Sequence, residues 1–384
     1  MPIDLCAGLV SDLEAHPMTT LAKPAVGAAV TDAEFGTTIR RVTAVAAGGG
    51  NPAIVPMYTT MPAWNADESL LLLYSVASGE HQLYDGHSYA FLHALDIAPT
   101  DVEQVFWSTS DPDVLIYPED TSLVRYHVGA GSKETLTTFD FCSEPVTNGA
   151  DPMFTSWDSS RIGLACGAQV FIYDIAQNKV LGSKPLGENP AQVAPSGTLA
   201  FLSDSGGVTD PDLGLQRTLD LVEPFGHASL GRYASGHDTW NGVVFDPGPN
   251  GDPHIGSLVV FDLADGTSKV VVGPDTGFPY PPTTHVSAVA YRQPGWAFVS
   301  TIGDTSGAGL LDLEMVVADT NTGKTCRIGR HRSWGKDNTK LGDSYWAEPH
   351  AVPSPSGTRA VFASDWGDGD TVDTYVVELP SYSP

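Results

Sequence analysis

The chain has 384 residues, with 46 acidic against 19 basic side chains and a formal net charge of -27 at pH 7. That balance excludes nucleic acid and an anionic membrane surface as partners, because both need clustered Lys and Arg. It leaves two readings of the acidity, surface solvation in a salty setting or acidic loops that hold Ca²⁺.

The first segment, MPIDLCAGLVSDLEAH, lacks the basic start and apolar core of a signal peptide. Its DLEAH, residues 12–16, is the one stretch where a short helix is expected. Elsewhere 40 Gly and 29 Pro interrupt every helical period, which points to an all-β chain. The four cysteines, Cys6, Cys142, Cys166 and Cys326, show no CxxC spacing. Cys142 and Cys166 lie in apolar, strand-like contexts and read as buried thiols. GTTIRRVTAVAA, residues 36–47, reads as a lone strand.

From there a unit of strand, polar turn and apolar strand recurs seven times. It begins at Met61 (MPAWNADESLLLLYSVA), Glu103, Phe154, Ala191, His227 (HASLGRYASGHDTWNGVVFD), His285 (HVSAVAYRQPGWAFVST) and Glu348 (EPHAVPSPSGTRAVFASD). Most units continue into an outer hairpin such as SLVVFDLADGTSK or EMVVADTNTGK. A spacing of about 48 residues fits a seven-bladed β-propeller, one domain over 1–384. The expected blades are 56–98, 103–141, 154–187, 191–222, 226–273, 284–330 and 348–380. The last unit lacks a fourth strand, and 36–47 supplies it, closing the ring and removing its edge.

In such a ring the start of each blade's first strand and the loop between its second and third strands open on one face. His227, His285 and His350 occupy matching starts of blades five, six and seven. His81 is expected in the second-to-third loop of blade one, and His331 with Trp334 in the loop entering blade seven. His237 falls on the opposite face, and His87 and His93 belong to an outer hairpin. Histidines in register converge at the axis, as a metal held by neutral imidazoles or as a proton-transfer site. Acidic loops 203–210, 246–254 and 364–373 share that face, and SDWGDGDTVD has the alternating acids of a Ca²⁺ loop without its distal Glu.

The segments GEHQLYDGHSYAFLHAL, HVSAVAYRQPGW, HRSW and EPHAVPSPSGTRAVFASDW resemble the seven-bladed propeller polysaccharide lyases: oligogalacturonate, ulvan and rhamnose–glucuronate lyases. The resemblance implies β-elimination on a uronic-acid glycan by an extracellular or periplasmic monomer. It implies a divalent metal (Mn, Zn or Ca) on His285, His331 and His350, with His227 as base. His81 is the position similar to the early-blade histidines of the ulvan type, where Met61 replaces a further one. Arg232 and Arg292 are candidates to pair the uronate carboxylate, by residue type. Trp64, Trp334, Tyr345 and Trp346 are candidates to stack on sugar rings. A propeller glycoside hydrolase, with Glu348 and Asp343 as acids, and a non-catalytic binding propeller are the alternatives.

Overall fold

The computed structural model describes residues 3–47, 51–147, 155–187, 189–220, 227–244, 255–278, 283–338, 340–341, 344–367 and 369–383. Seven antiparallel sheets follow one another along the chain. Blade 1 runs from Ile54–Val55 through Leu70–Ser75 and Glu80–Asp85 to Phe91–Ala94. Blade 5 runs from Ala228–Arg232 to Ser268–Val272, and blade 6 from Thr283–Ser287 to Thr325–Arg330. The sheet of blade 3 has three strands, Arg161–Cys166 onwards, with an inner bridge from Thr155 to Ile162.

The second strand of a blade is covered on both faces by its neighbours. A run such as Trp296–Thr301 is therefore buried at every position and reads as continuously apolar rather than alternating. Outer strands such as Ser132–Thr138 are largely exposed. The turn after the third strand is fixed by an Asp that takes backbone amides: Asp85 accepts from Ser88 N at 2.7 Å and Asp319 from Asn321 N at 2.9 Å.

Ring closure follows the expected strand. Thr38–Arg41 pairs antiparallel with Asp373–Glu378, with Ile39 opposite Val377. Ala29–Thr31 then adds a fifth strand that the sequence reading did not anticipate. The expected helix at 12–16 is absent. The Asp12 carboxylate instead accepts from Glu14 N at 3.0 Å and pairs with Arg327 Nη2 at 2.7 Å, while Val10 bridges to Arg327. An Asp that bonds its own backbone competes with the helix. The segment becomes an extended strap over blade 6.

The cysteine reading is corrected in the same region. Cys6 is disulfide-bonded to Cys326 and Cys142 to Cys166. The first bond ties the strap to the outer strand of blade 6.

Candidate metal centre

Three inner strands bring one histidine each to the axis. His285 lies on Thr283–Ser287, His227 precedes Ala228–Arg232, and His350 precedes Val352–Pro353. The rings of His227 and His285 stack, with centroids 4.1 Å apart. His350 meets His285 edge-on at 4.4 Å. Tyr58 packs against both, at 5.5 Å from His285 and 5.1 Å from His350, and Tyr345 lies 5.1 Å from His350.

Glu348 completes the group. One of its oxygens, Oε2, is 3.5 Å from Nε2 of His285 and 3.5 Å from Nε2 of His350. His285, Glu348 and His350 each offer a ligand atom within 4.8 Å of the others. Glu348 and His350 are two residues apart, and the left-handed backbone of His350 (φ 40°) fixes how its ring is presented beside the carboxylate.

The protonation states suit a ligand set. Burial, helped by the neighbouring His350 and His227, holds His285 well below the ordinary imidazole value. Burial also lowers His350, although Glu348 opposes it. Both rings are therefore neutral, as metal ligands must be. His350 Nε2 is buried with no hydrogen-bond partner among the described residues, and 3.5 Å to Glu348 is too long for a good one. An orphaned nitrogen of this kind costs about 1–3 kcal/mol, and a cation between the three groups would satisfy it. Two imidazoles and one carboxylate fit Mn²⁺ or Zn²⁺ better than Ca²⁺, which prefers oxygen alone.

His227 donates Nδ1–H to the carbonyl of Thr284 at 2.6 Å. A carbonyl only accepts, so the lone-pair nitrogen of this half-buried ring is Nε2. Tyr345 donates to Glu103 Oε1 at 2.6 Å. Burial and Glu103 push its phenol far above the usual tyrosine range, so it keeps its proton.

Several expected site residues lie elsewhere. His331 is fully buried, with Nε2 bonded to the carbonyl of Thr301 at 2.7 Å and Nδ1 accepting Ser333 N at 3.0 Å. Both nitrogens hold the loop between blades 6 and 7, and burial pushes the ring down to about 4. His81 is on the strand Glu80–Asp85 rather than in a loop, and its Nε2 donates to the carbonyl of Val102 at 2.8 Å. Arg232 and Arg292 sit at the far end of the first strands from the histidines. Arg232 caps its own turn through the Gly236 carbonyl at 2.9 Å, and Arg292 bonds the Ala66 carbonyl. Trp64 is fully buried, with Arg359 over its ring at 4.9 Å. Tyr345 and Trp346 do flank the centre, 5.1 Å from each other, and half-buried Trp334 lines a cavity that reaches Glu348.

In the 364–373 loop, Asp365 and Asp373 are engaged within the protein, and Asp368 lies outside the described residues. Asp365 accepts from Trp334 N at 3.0 Å and Asn338 Nδ2 at 2.8 Å, and Asp373 pairs with Lys23 at 2.5 Å and Arg41 at 2.9 Å. Asp343 and loop 246–254 lie outside the described residues. Tyr58 was missed because it precedes the first quoted repeat, and Glu348 was weighed only as a hydrolase acid.

No protein-family model and no curated protein matches the sequence. Solved structures do match in shape. An oligogalacturonate lyase from Vibrio parahaemolyticus is 13% identical with a TM-score of 0.63, the match covering 92% of this chain and 96% of that one. An oligogalacturonate lyase in complex with manganese is 14% identical with a TM-score of 0.64 over the same shares. The Pan2 WD40 domain of Neurospora crassa is 15% identical with a TM-score of 0.53, covering 90% and 96%. The chain is a seven-bladed β-propeller, the fold it shares with these structures.

Proposed function

We propose that the chain is a metal-assisted lyase that cleaves a uronic-acid-containing oligosaccharide or polysaccharide by β-elimination. The observation that carries this reading is the meeting of His227, His285, His350 and Glu348 at one mouth of the axis, with a buried nitrogen left unpartnered. The lyase-like propeller and the manganese complex of one structural neighbour support it.

His285, His350 and Glu348 would hold a divalent cation. When bound, it neutralises the uronate carboxylate and acidifies the proton at C5. His227 accepts that proton at Nε2, since its Nδ1 proton is committed to Thr284. The electron pair forms the C4–C5 double bond as the C4–O bond breaks, and the leaving oxygen takes a proton from water, to which the His227 imidazolium then returns the one it removed. Tyr345 is no base, because it holds its proton against Glu103, and its ring with that of Tyr58 fixes His350. The two disulfides favour an oxidising compartment, outside the cytosol.

Incubation with a panel of uronate glycans and Mn²⁺ tests this, reading the near-ultraviolet absorbance of an unsaturated product. The expected result is absorbance from the parent and loss in His227→Ala and Glu348→Gln. New reducing ends without absorbance would replace the lyase with a hydrolase. Binding without either would leave a carbohydrate-binding propeller.

A further inference from the structure

Two cavities lie side by side beyond the centre. The first, about 280 Å³, runs outward from Glu348 past Thr284 and Ile302 to Thr305 and Trp334. The second, about 340 Å³, begins at the same Thr305 and Trp334 and ends under the N-terminal strap at Met18 and Leu21, with Arg332 and Trp366 on its walls. Both volumes are at the small end for ligand pockets, about 300–1,000 Å³. Trp334 and Thr305 line both, so the two cavities adjoin on the way out from the centre.

The outer cavity is a built site. Arg332 is 6% exposed, donates Nη1 to the carbonyl of Thr19 at 2.9 Å, and leaves Nε buried without a partner among the described residues. Its guanidinium lies 5.7 Å over the ring of Trp366. Asp32 and Glu34 offset its charge, so it offers a directed donor more than a net positive field. Trp366 is stacked on Tyr375 at 4.7 Å and so forms fixed wall, whereas Trp334 is half-buried and leaves ring surface for a ligand. The strap that roofs the cavity is further held by Met18 N, which donates to Gly307 O at 2.8 Å, by Trp366 Nε1, which donates to Leu21 O at 3.0 Å, and by the pairing of Lys23 with Asp373.

Backbone strain gathers along the same path. Arg332 (φ 56°), Trp366 (φ 56°), Leu313 (φ 54°) and His350 (φ 40°) are all left-handed without being glycine. Such residues cost about 1–3 kcal/mol each and collect where function fixes them.

We propose that the outer cavity is a second carbohydrate subsite. It takes a sugar ring of the same oligosaccharide, further along the chain than the bond at the metal centre. Trp334 stacks on the ring, and the guanidinium of Arg332, which lines the cavity, donates to one of its oxygens. The strap closes the far end, so the path favours short chains. This inference rests on the reading of the protein as one that acts on uronic-acid glycans.

Binding is measured first, without turnover. Trimers of galacturonate, glucuronate and mannuronate are titrated against the full chain, with tryptophan fluorescence and calorimetry as readouts. The variants are Arg332→Gln and Ser306→Trp, the latter an exposed position at the cavity rim. Its bulk fills the cavity without entering the core, so it keeps the test valid if Arg332→Gln fails to fold. The expected result is about tenfold weaker trimer binding in each, and about a tenfold fall in the trimer-to-dimer ratio of kcat/KM. Trimer binding that weakens in the variants, with no turnover by the parent, leaves the subsite standing and removes the lyase. No binding of any trimer by the parent, or equal losses on dimer and trimer, overturns the subsite.

Discussion

The two mouths of the central axis are built on opposite plans. At the mouth away from the histidines, charges are matched. Glu68 accepts Arg359 Nη2 at 2.8 Å and Ser356 N at 2.6 Å, and Arg359 also donates to the carbonyl of Gly86 at 2.5 Å while lying 4.5 Å from the ring of Tyr382. These contacts join blade 7 to blade 1 across the ring closure. At the histidine mouth, three imidazoles and a carboxylate are pressed together with no Lys or Arg paired to Glu348 among the described residues. One end has its buried charges answered by the chain itself, and the other leaves His350 Nε2 without a partner among the described residues. A functional site can be recognised by that contrast better than by burial, which the two ends share.

The largest effect that separates the ends is on stability. Glu68→Ala strands the buried Arg359 and is expected to destabilise by about 3–5 kcal/mol. His350→Gln removes a nitrogen that has no partner among the described residues and strands no buried charge, so it is expected to change stability by no more than about 1–3 kcal/mol. Denaturant unfolding of both variants checks the pair; similar losses would dissolve the contrast.

The next effect distinguishes a structural histidine from the cluster. His331 falls to about 4 in the folded chain by burial, against about 6.5 unfolded. Above about pH 6.5 neither state is protonated and the contribution is complete. As pH drops from 6.5 towards 4 the unfolded chain takes the proton and the native one does not, so stability falls, by roughly 3 kcal/mol at pH 4. His331→Asn should flatten the difference between unfolding curves over that window while leaving metal content unchanged. A loss of metal would return His331 to the ligand set.

A smaller effect concerns affinity. Glu348→Gln keeps the shape but removes the charge that closes the His285–His350 pair, and Mn²⁺ affinity should fall by at least the ten- to hundredfold that outer-shell changes cost. Calorimetric titration reads it directly. The smallest effect is electrostatic. A chain of net charge -27 repels an anionic glycan at long range, so kcat/KM should rise a few-fold as salt shortens the screening length to about 10 Å near 0.1 M.

Much of this was legible in the sequence. The seven strand–turn–strand units and the closing strand at 36–47 appear because a blade's second strand is buried on both faces and its turns need Asp, Gly and Pro. His227, His285 and His350 were legible because each stands at or near the start of an inner strand. The arginines were misplaced for a reason of length. The five residues from His227 to Arg232, at about 3.3 Å each, carry the side chain about 16 Å to the other mouth. His331 misled because its neighbours in HRSW lie near the site, whereas its ring turns back to its own loop. The disulfide from Cys6 to Cys326 joins residues 320 apart, a pairing no local pattern encodes.

The central claim is that His285, Glu348 and His350 hold a divalent cation at the open mouth. Its most direct test is elemental analysis of the purified chain after equilibration with Mn²⁺, alongside His285→Ala and His350→Ala. The account predicts one metal per parent chain and none in either variant. Equal metal content in all three, or none in the parent, would contradict it.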